Sequence, residues 1–157
     1  MTASVATLRA WWSRFRGLPG GPWLFSRLFG LAIPYSGSVR PLIRVLQPGR
    51  AVISMRDRRA VRNHLSSIHA IALTNLAEMT TGLALGFGLP DGMRTILVRV
   101  ESEFLKKARG TITAVCDAPV FTEIVEKEVL VESVLADASG AVVAKARAVW
   151  LAGPVKK

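Results

Sequence analysis

The sequence predicts an α+β fold in which an antiparallel sheet wraps around one long, buried helix, with a short helical extension in front. Three observations carry this. The stretch "RNHLSSIHAIALTNLAEMTTGLALG" (62–86) is apolar around most of a helical circumference, and no Lys or Arg occurs between Leu65 and Met93, which is the pattern of a core helix and not of a surface one. Four strand-like segments follow it at short intervals, the order of an antiparallel sheet. Two more precede it, joined by a tight turn. At 157 residues the chain has the size of one domain.

Taken in order, "LRAWWSRFRGL" (8–18) places Leu8, Trp11, Trp12, Phe15 and Leu18 at helical spacing with Arg9, Arg14 and Arg16 between them, which predicts an amphipathic helix. Such a helix either packs as a lid on the domain or lies on a membrane surface, where Arg beside Trp and Phe is a favoured composition. "GLPGGPW" (17–23) breaks it, and "WLFSRLFGLAIP" (23–34) predicts a second short helix that Pro34 terminates. Residues 1–37 thus read as a basic amphipathic extension and residues 38–157 as the main domain. Segments 39–47 and 50–57 form a hairpin through Pro48-Gly49. The central helix starts near Ser67–His69 and ends at "GLPDG" (88–92), with Gly82, Gly86 and Gly88 permitting close approach. In 95–104, Ile96, Val98, Val100 and Phe104 share one face and Arg99, Glu101 and Glu103 the other. Segment 110–117 follows "KKARG", and 122–135 follows "DAP". "DASG" (137–140) turns the chain into 141–151, where Val142, Ala144, Ala146, Ala148 and Trp150 share a face.

The net charge of +10 is uneven: residues 1–62 hold 11 Arg against one acid, Asp57, whereas residues 63–157 hold 10 basic and 10 acidic side chains. Basic surface attracts nucleic acid, anionic lipid or phosphorylated ligands. No glycine-rich phosphate loop, zinc-finger spacing or aromatic RNA-binding signature accompanies it, so nucleic acid is not the expected partner. No uninterrupted apolar run reaches the roughly 18–20 residues of a spanning helix. No apolar core with a small-residue cleavage site marks a secretory signal; an Arg-rich organellar transit peptide stays open on composition. The single cysteine, Cys116, precludes an intrachain disulfide and suits a reducing compartment. The expected location is cytoplasmic, with residues 8–30 as a candidate contact with a membrane surface.

Glu78 is the chemical anomaly: an acid with no cation along its own helix. An unpaired buried carboxylate is costly, so it signals either a raised pKa or a site, against the plainer role of a structural acid satisfied by Thr74, Thr81 or a second chain. The first N–H groups of the helix, near His69 and Ala70, offer a positive electrostatic end. They stand roughly 14 Å from Glu78 along the axis at ~1.5 Å per residue. One chain therefore does not assemble both ends, whereas a symmetric dimer could. His69 at a helix start suits a backbone hydrogen bond, and Asn75, three residues before Glu78, either faces the same pocket or bridges a dimer seam. His64 and His69, five apart, share no helix face and have no third ligand, so no metal site is expected. Lys106, Lys107 and Arg109 are either a solvated turn or a phosphate-binding cluster.

Asn63, then His69-Ala70, then "NLAE" ending in Glu78 resembles the "N…HGG…LAD" motif of hotdog-fold thioesterases of the phenylacetate type and of small acyl-CoA thioesterases. The run "RAVRNHLSSIHAIALTNLAE…FLKKARG" is similar to a DUF4442-like branch of that superfamily, and the likeness covers roughly residues 38–151. It implies a hotdog fold, assembly as a homodimer or homotetramer, and hydrolysis of a thioester on coenzyme A or an acyl carrier, with no cofactor beyond that substrate. On this likeness Glu78 is the general base or nucleophile, Asn63 of the opposite subunit orients water or the carbonyl, and the Ala70 N–H beside His69 polarises the thioester oxygen. On the same likeness Lys106, Lys107 and Arg109 meet the phosphates of coenzyme A, while Asn75 is a candidate for the substrate pocket by its spacing from Glu78 alone. Two departures stand out: Glu replaces the commoner Asp, and Ala70-Ile71 replaces the glycine pair. A non-catalytic acyl-binding module of the same fold is the rival reading; a hydratase fits less well, because "HAIALTN" lacks the proline-rich segment such enzymes carry after their histidine.

Overall fold

A computed structural model describes residues 5–155. Its elements run α1 (Val5–Phe15), α2 (Gly21–Ala32), α3 (Pro34–Gly37), β1 (Leu42–Gln47), β2 (Arg50–Arg56), a single 3-10 turn (Arg59–Val61), α4 (Ala70–Phe87), β3 (Met93–Phe104), β4 (Thr111–Asp117), β5 (Lys127–Ala136) and β6 (Val142–Pro154). The six strands form one antiparallel sheet in the order β1-β2-β4-β5-β6-β3, and α4 packs against all of them. This is the expected sheet wrapped around one helix.

Helix α4 is apolar on nearly every side because the curved sheet encloses it: Leu76, Ala84 and Leu85 are fully buried, as are Ile53, Ile112 and Leu135 from the strands facing it. Its 18 residues and mean hydropathy of 1.2 would suffice by length and composition for a membrane span, but 67% of it is buried inside the protein, as befits a core helix. At Gly82 the packing leaves no room for a side chain. A Cβ there would lie 2.8 Å from the Trp150 ring, and that ring is pinned by a 3.1 Å hydrogen bond from Nε1 to Thr81 Oγ1. Gly82→Ala is therefore expected to lose about 1–2 kcal/mol despite its better helix propensity, read as a lower urea midpoint.

Three expectations need correction. In β3 the register shifts between Leu97 and Arg99, so one extra residue reverses the in–out alternation. Ile96 and Val98 are consequently exposed, 47% and 53%, while Leu97 and Val100 turn inward as half-buried residues. Residues 122–126 precede β5 instead of starting it; the segment crosses the end of the sheet, where the Phe121 N–H bonds the Gly88 carbonyl at 2.8 Å. Pro34 does not simply end α2 but opens α3, where its missing N–H costs nothing.

Helices α1 and α2 pack as a lid on the β1 edge. Leu8, Trp12, Phe25 and Phe29 are buried. Trp12 Nε1 donates to the Leu46 carbonyl at 2.8 Å and the Ile43 N–H donates to Ser26 Oγ at 2.9 Å, so the free edge of β1 is satisfied by side chains. Arg9 closes the other end of α4, which has no basic residue in its own last turn. It donates to the Gly86 carbonyl at 2.7 Å and to Leu89, and pairs with Asp91 at 3.0 Å, a cation placed where helix carbonyls collect negative potential. The edge of β3, at the far side of the sheet, has no such cover among the described residues.

Candidate active site

Helix α4 opens with His69 as its N-cap: the Nδ1 atom accepts the Ile71 N–H at 3.1 Å. The Ala70 N–H, next in line, donates to no acceptor among the described residues. From there Ile71, Thr74, Asn75 and Glu78 follow at i, i+3, i+4 and i+7, one stripe along α4. This stripe lines a cavity of about 360 Å³ closed by Tyr35 of α3 and by Leu97 and Val100 of β3. The bulge in β3 is what turns those two apolar side chains toward Glu78.

Burial pushes the Glu78 carboxyl above its ordinary value, because the charged form loses hydration without gaining a partner. The hydroxyls expected to satisfy it are used elsewhere. Thr74 Oγ1 donates to the Ala70 carbonyl and accepts from Ser102 Oγ, and Thr81 Oγ1 donates to the Glu78 backbone carbonyl. No cation lies within 4.0 Å of the carboxylate among the described residues. Asn75, 7% exposed, donates Nδ2 to the Tyr35 carbonyl at 3.1 Å, while its Oδ1 is buried with no donor. A smaller cavity of about 230 Å³ adjoins through Tyr35, Ile71 and Asn75 and is bordered by His69. Asn75 thus lines both the cavity bordered by His69 and the one that holds Glu78.

The other predicted residues gather on a different side of the helix start. Asn63, Ala70, Lys106 and Lys107 line a cleft of about 310 Å³. Asn63 Oδ1 accepts from the Leu65 N–H and from Ser67, which holds the loop that leads into α4. Lys106 pairs with Asp137 at 3.0 Å, Arg109 Nε reaches the Ser66 carbonyl at 3.3 Å, and Lys107 has no carboxylate within 4.0 Å among the described residues. Within one chain Asn63 and Glu78 line separate cavities. Sequence reasoning missed Tyr35, Leu97 and Val100 as walls of the Glu78 cavity; only the exposed aromatic next to Pro34 gave any signal of the first.

Among the described residues no group of three or more His, Cys, Asp or Glu side chains is placed to hold a metal. Cys116 is no nucleophile: it is 1% exposed and its thiol is pushed up to about 12 by burial and then by the Asp117 charge.

A six-stranded antiparallel sheet around one central helix, with a polar stripe on the open face of that helix, defines a hotdog-fold protein. The chain belongs to the DUF4442 family, a domain of unknown function, whose model matches residues 21–151. No curated protein matches the sequence. Among solved structures, the chain is similar to a structural-genomics protein at 28% identity and TM-score 0.80, covering 94% of this chain and 99% of that one. It is similar to a Pseudomonas aeruginosa protein of unknown function, called a probable thioesterase, at 23% identity and TM-score 0.76 over 88% and 97% of the two chains. A Haemophilus influenzae thioesterase shares the fold at 12% identity and TM-score 0.69 over 78% and 85%.

Proposed function

We propose that this chain is a thioester hydrolase of the acyl-CoA type, working as a homodimer or an assembly of dimers with each active site shared between two copies. The observation that carries the reading is Glu78, a carboxyl whose pKa burial raises, without hydrogen-bond or ionic partner among the described residues, in an otherwise mostly apolar cavity on α4. Glu78 takes a proton from water as the water oxygen bonds to the thioester carbon. The Ala70 N–H of the second copy stabilises the resulting oxyanion, and the carbon–sulfur bond then breaks with proton return to the thiolate. Asn63 of the second copy orients the water, Asn75 contacts the acyl group, and Lys106, Lys107 and Arg109 hold phosphates of the carrier.

Support for sharing comes from the two sheet edges. The β1 edge is occupied by Trp12 and Ser26. The β3 edge, 12 residues long, has exposed Ile96, Val98 and Phe104 between exposed charged residues, and an uncovered edge of that length invites a second strand. The Asn63 cleft and the Glu78 cavity both border β3, so pairing there brings a second copy's residues to each. The names of fold relatives, thioesterases among them, agree with the reading. A non-catalytic acyl-binding role is the second reading, favoured by Ile71, which is 56% exposed at the cavity and stands where the resembled "HGG" motif has glycine. Thiol release from a panel of acyl-CoAs, run beside light scattering, tests both: a dimer that binds acyl-CoA and releases no thiol leaves the binding role.

A further inference from the structure

A separate cleft of about 420 Å³ lies where α2 meets β1 and β2, and it shares no residue with the cavities along α4. Arg27, Arg40, Arg44, Arg56 and Arg58 all line it. These are five of the 11 arginines that make the front of the chain basic. None of the five has a carboxylate within 4.0 Å among the described residues, and Asp57, the one acid at the cleft, is already paired with Arg62 at 2.6 Å.

Three of the guanidinium groups, those of Arg44, Arg58 and Arg27, are held in place by the fold. Arg44 sits where the β1 register shifts, and its Nε donates to Ser54 Oγ at 2.9 Å; Ser54 is 2% exposed and projects from the face of β2 opposite the core residues Ile53 and Met55. Arg58 donates Nη2 to the Ser38 carbonyl, while its Nε is buried with no acceptor. Arg27 lies 5.5 Å over the Trp23 ring. Arg40 occupies the left-handed region at φ 49°, a conformation that residues other than glycine seldom adopt. Like charges brought together, one of them with a dehydrated donor, are unfavourable unless an anion completes the arrangement. Guanidinium forks match the oxygens of phosphoryl groups, and five charges suit more than one such group.

We propose that this cleft binds a phosphate ester bearing clustered phosphoryl groups, through Arg27, Arg40, Arg44, Arg56 and Arg58. The site stands whether or not the α4 cavity turns over a thioester. Two sources supply this chemistry, a soluble diphosphate and a phosphorylated lipid headgroup. Calorimetry with inorganic pyrophosphate probes the first. Cosedimentation with phosphatidylcholine vesicles, with and without phosphatidylinositol 4-phosphate, probes the second. Wild type is expected to bind at least one probe saturably. Arg44→Gln/Arg56→Gln should weaken that binding about tenfold or more, whereas Arg14→Gln/Arg94→Gln, an equal loss of charge elsewhere, should change it less than about twofold. Pyrophosphate binding assigns a soluble ligand, and vesicle binding alone assigns a headgroup. Arg27→Gln, at an exposed position of α2, gives the same reading should the double variant not fold. No saturable binding of either probe, or equal losses in the cleft and control variants, overturns the proposal.

Discussion

Replacing Glu78 by Gln or Ala is expected to reduce kcat/KM for acyl-CoA hydrolysis at least about 100-fold, the lower range for removing a general base, while the protein stays folded. The expectation follows from what surrounds the carboxylate. No hydrogen-bond partner among the described residues depends on it, since Thr74 and Thr81 give their hydroxyl protons to backbone carbonyls, so its loss breaks no network there. The pH behaviour separates a catalytic acid from a structural one. Burial raises the folded-state value above 4.5, so the folded chain holds this proton to higher pH than the unfolded chain does. Stability from this group is full below the unfolded value and declines as pH rises toward the folded value. Glu78→Gln carries no charge to dehydrate and should lack that decline, gaining on wild type in melts at pH 8 relative to pH 4. Wild-type activity should rise with pH through the same raised value as the base ionises, and the variant should lose that limb. A folded Glu78→Gln that hydrolyses at the wild-type rate sinks the assignment.

The strength of that expectation depends on geometry that the sequence disclosed unevenly. Helix α4 was legible because a run lacking Lys and Arg from Leu65 to Met93 has no other comfortable place than inside a sheet. His69 at its start was legible too, since a side-chain acceptor before a helix commonly caps it. The β3 bulge was not. Alternation read through Val98 assigns Ile96 and Val98 to the same face as Val100, and a single inserted residue, invisible in composition, reverses the parity and delivers Leu97 to the cavity. The destination of Asn75 was likewise hidden, because its partner, the Tyr35 carbonyl, lies 40 positions away. The arginine cleft left only a coarse trace, an excess of cations before residue 63. Its members are scattered over α2, two strands and two loops, and pairing β1 with β2 is what assembles them.

The two edges of the sheet explain why the chain carries its front helices at all. An antiparallel sheet that curls around a helix leaves two strands half-paired, and each bare edge is a template for unwanted pairing. At β3 the apolar residues stay outside, consistent with a strand that another copy covers. At β1 the chain supplies its own cover, in which Trp12 and Ser26 use side chains where a strand would use backbone. Arg9, on the same lid, supplies the cation that the end of α4 lacks. A lid that merely rested on the surface would leave its inward face partly wet, yet Phe25 is 0% exposed and meets the Trp12 ring edge-on at 5.1 Å.

Phe25→Ala is therefore expected to destabilise the whole domain, and not only α2. Removing a fully buried phenylalanine costs about 3–5 kcal/mol through lost transfer energy and the cavity left behind. Set against the roughly 5–15 kcal/mol that holds a typical domain together, that loss leaves a marginal protein. At roughly 2–4 °C per kcal/mol for a chain of this length, the melting temperature should fall by roughly 6–20 °C. Far-ultraviolet dichroism, which reports helix and sheet together, should show one cooperative transition shifted downward. If α1 and α2 formed an independent appendage, the main transition would keep its midpoint while a small helical signal melted ahead of it, and the lid assignment would fail. Trp12 serves as the internal reporter. Its indole is buried against Phe25 and bonded to the Leu46 carbonyl, so its fluorescence should shift to longer wavelength in the folded variant only where the lid has lifted from β1. A lid that stays seated while the midpoint falls would place the cost of Phe25→Ala in the cavity alone and leave the β1 edge covered.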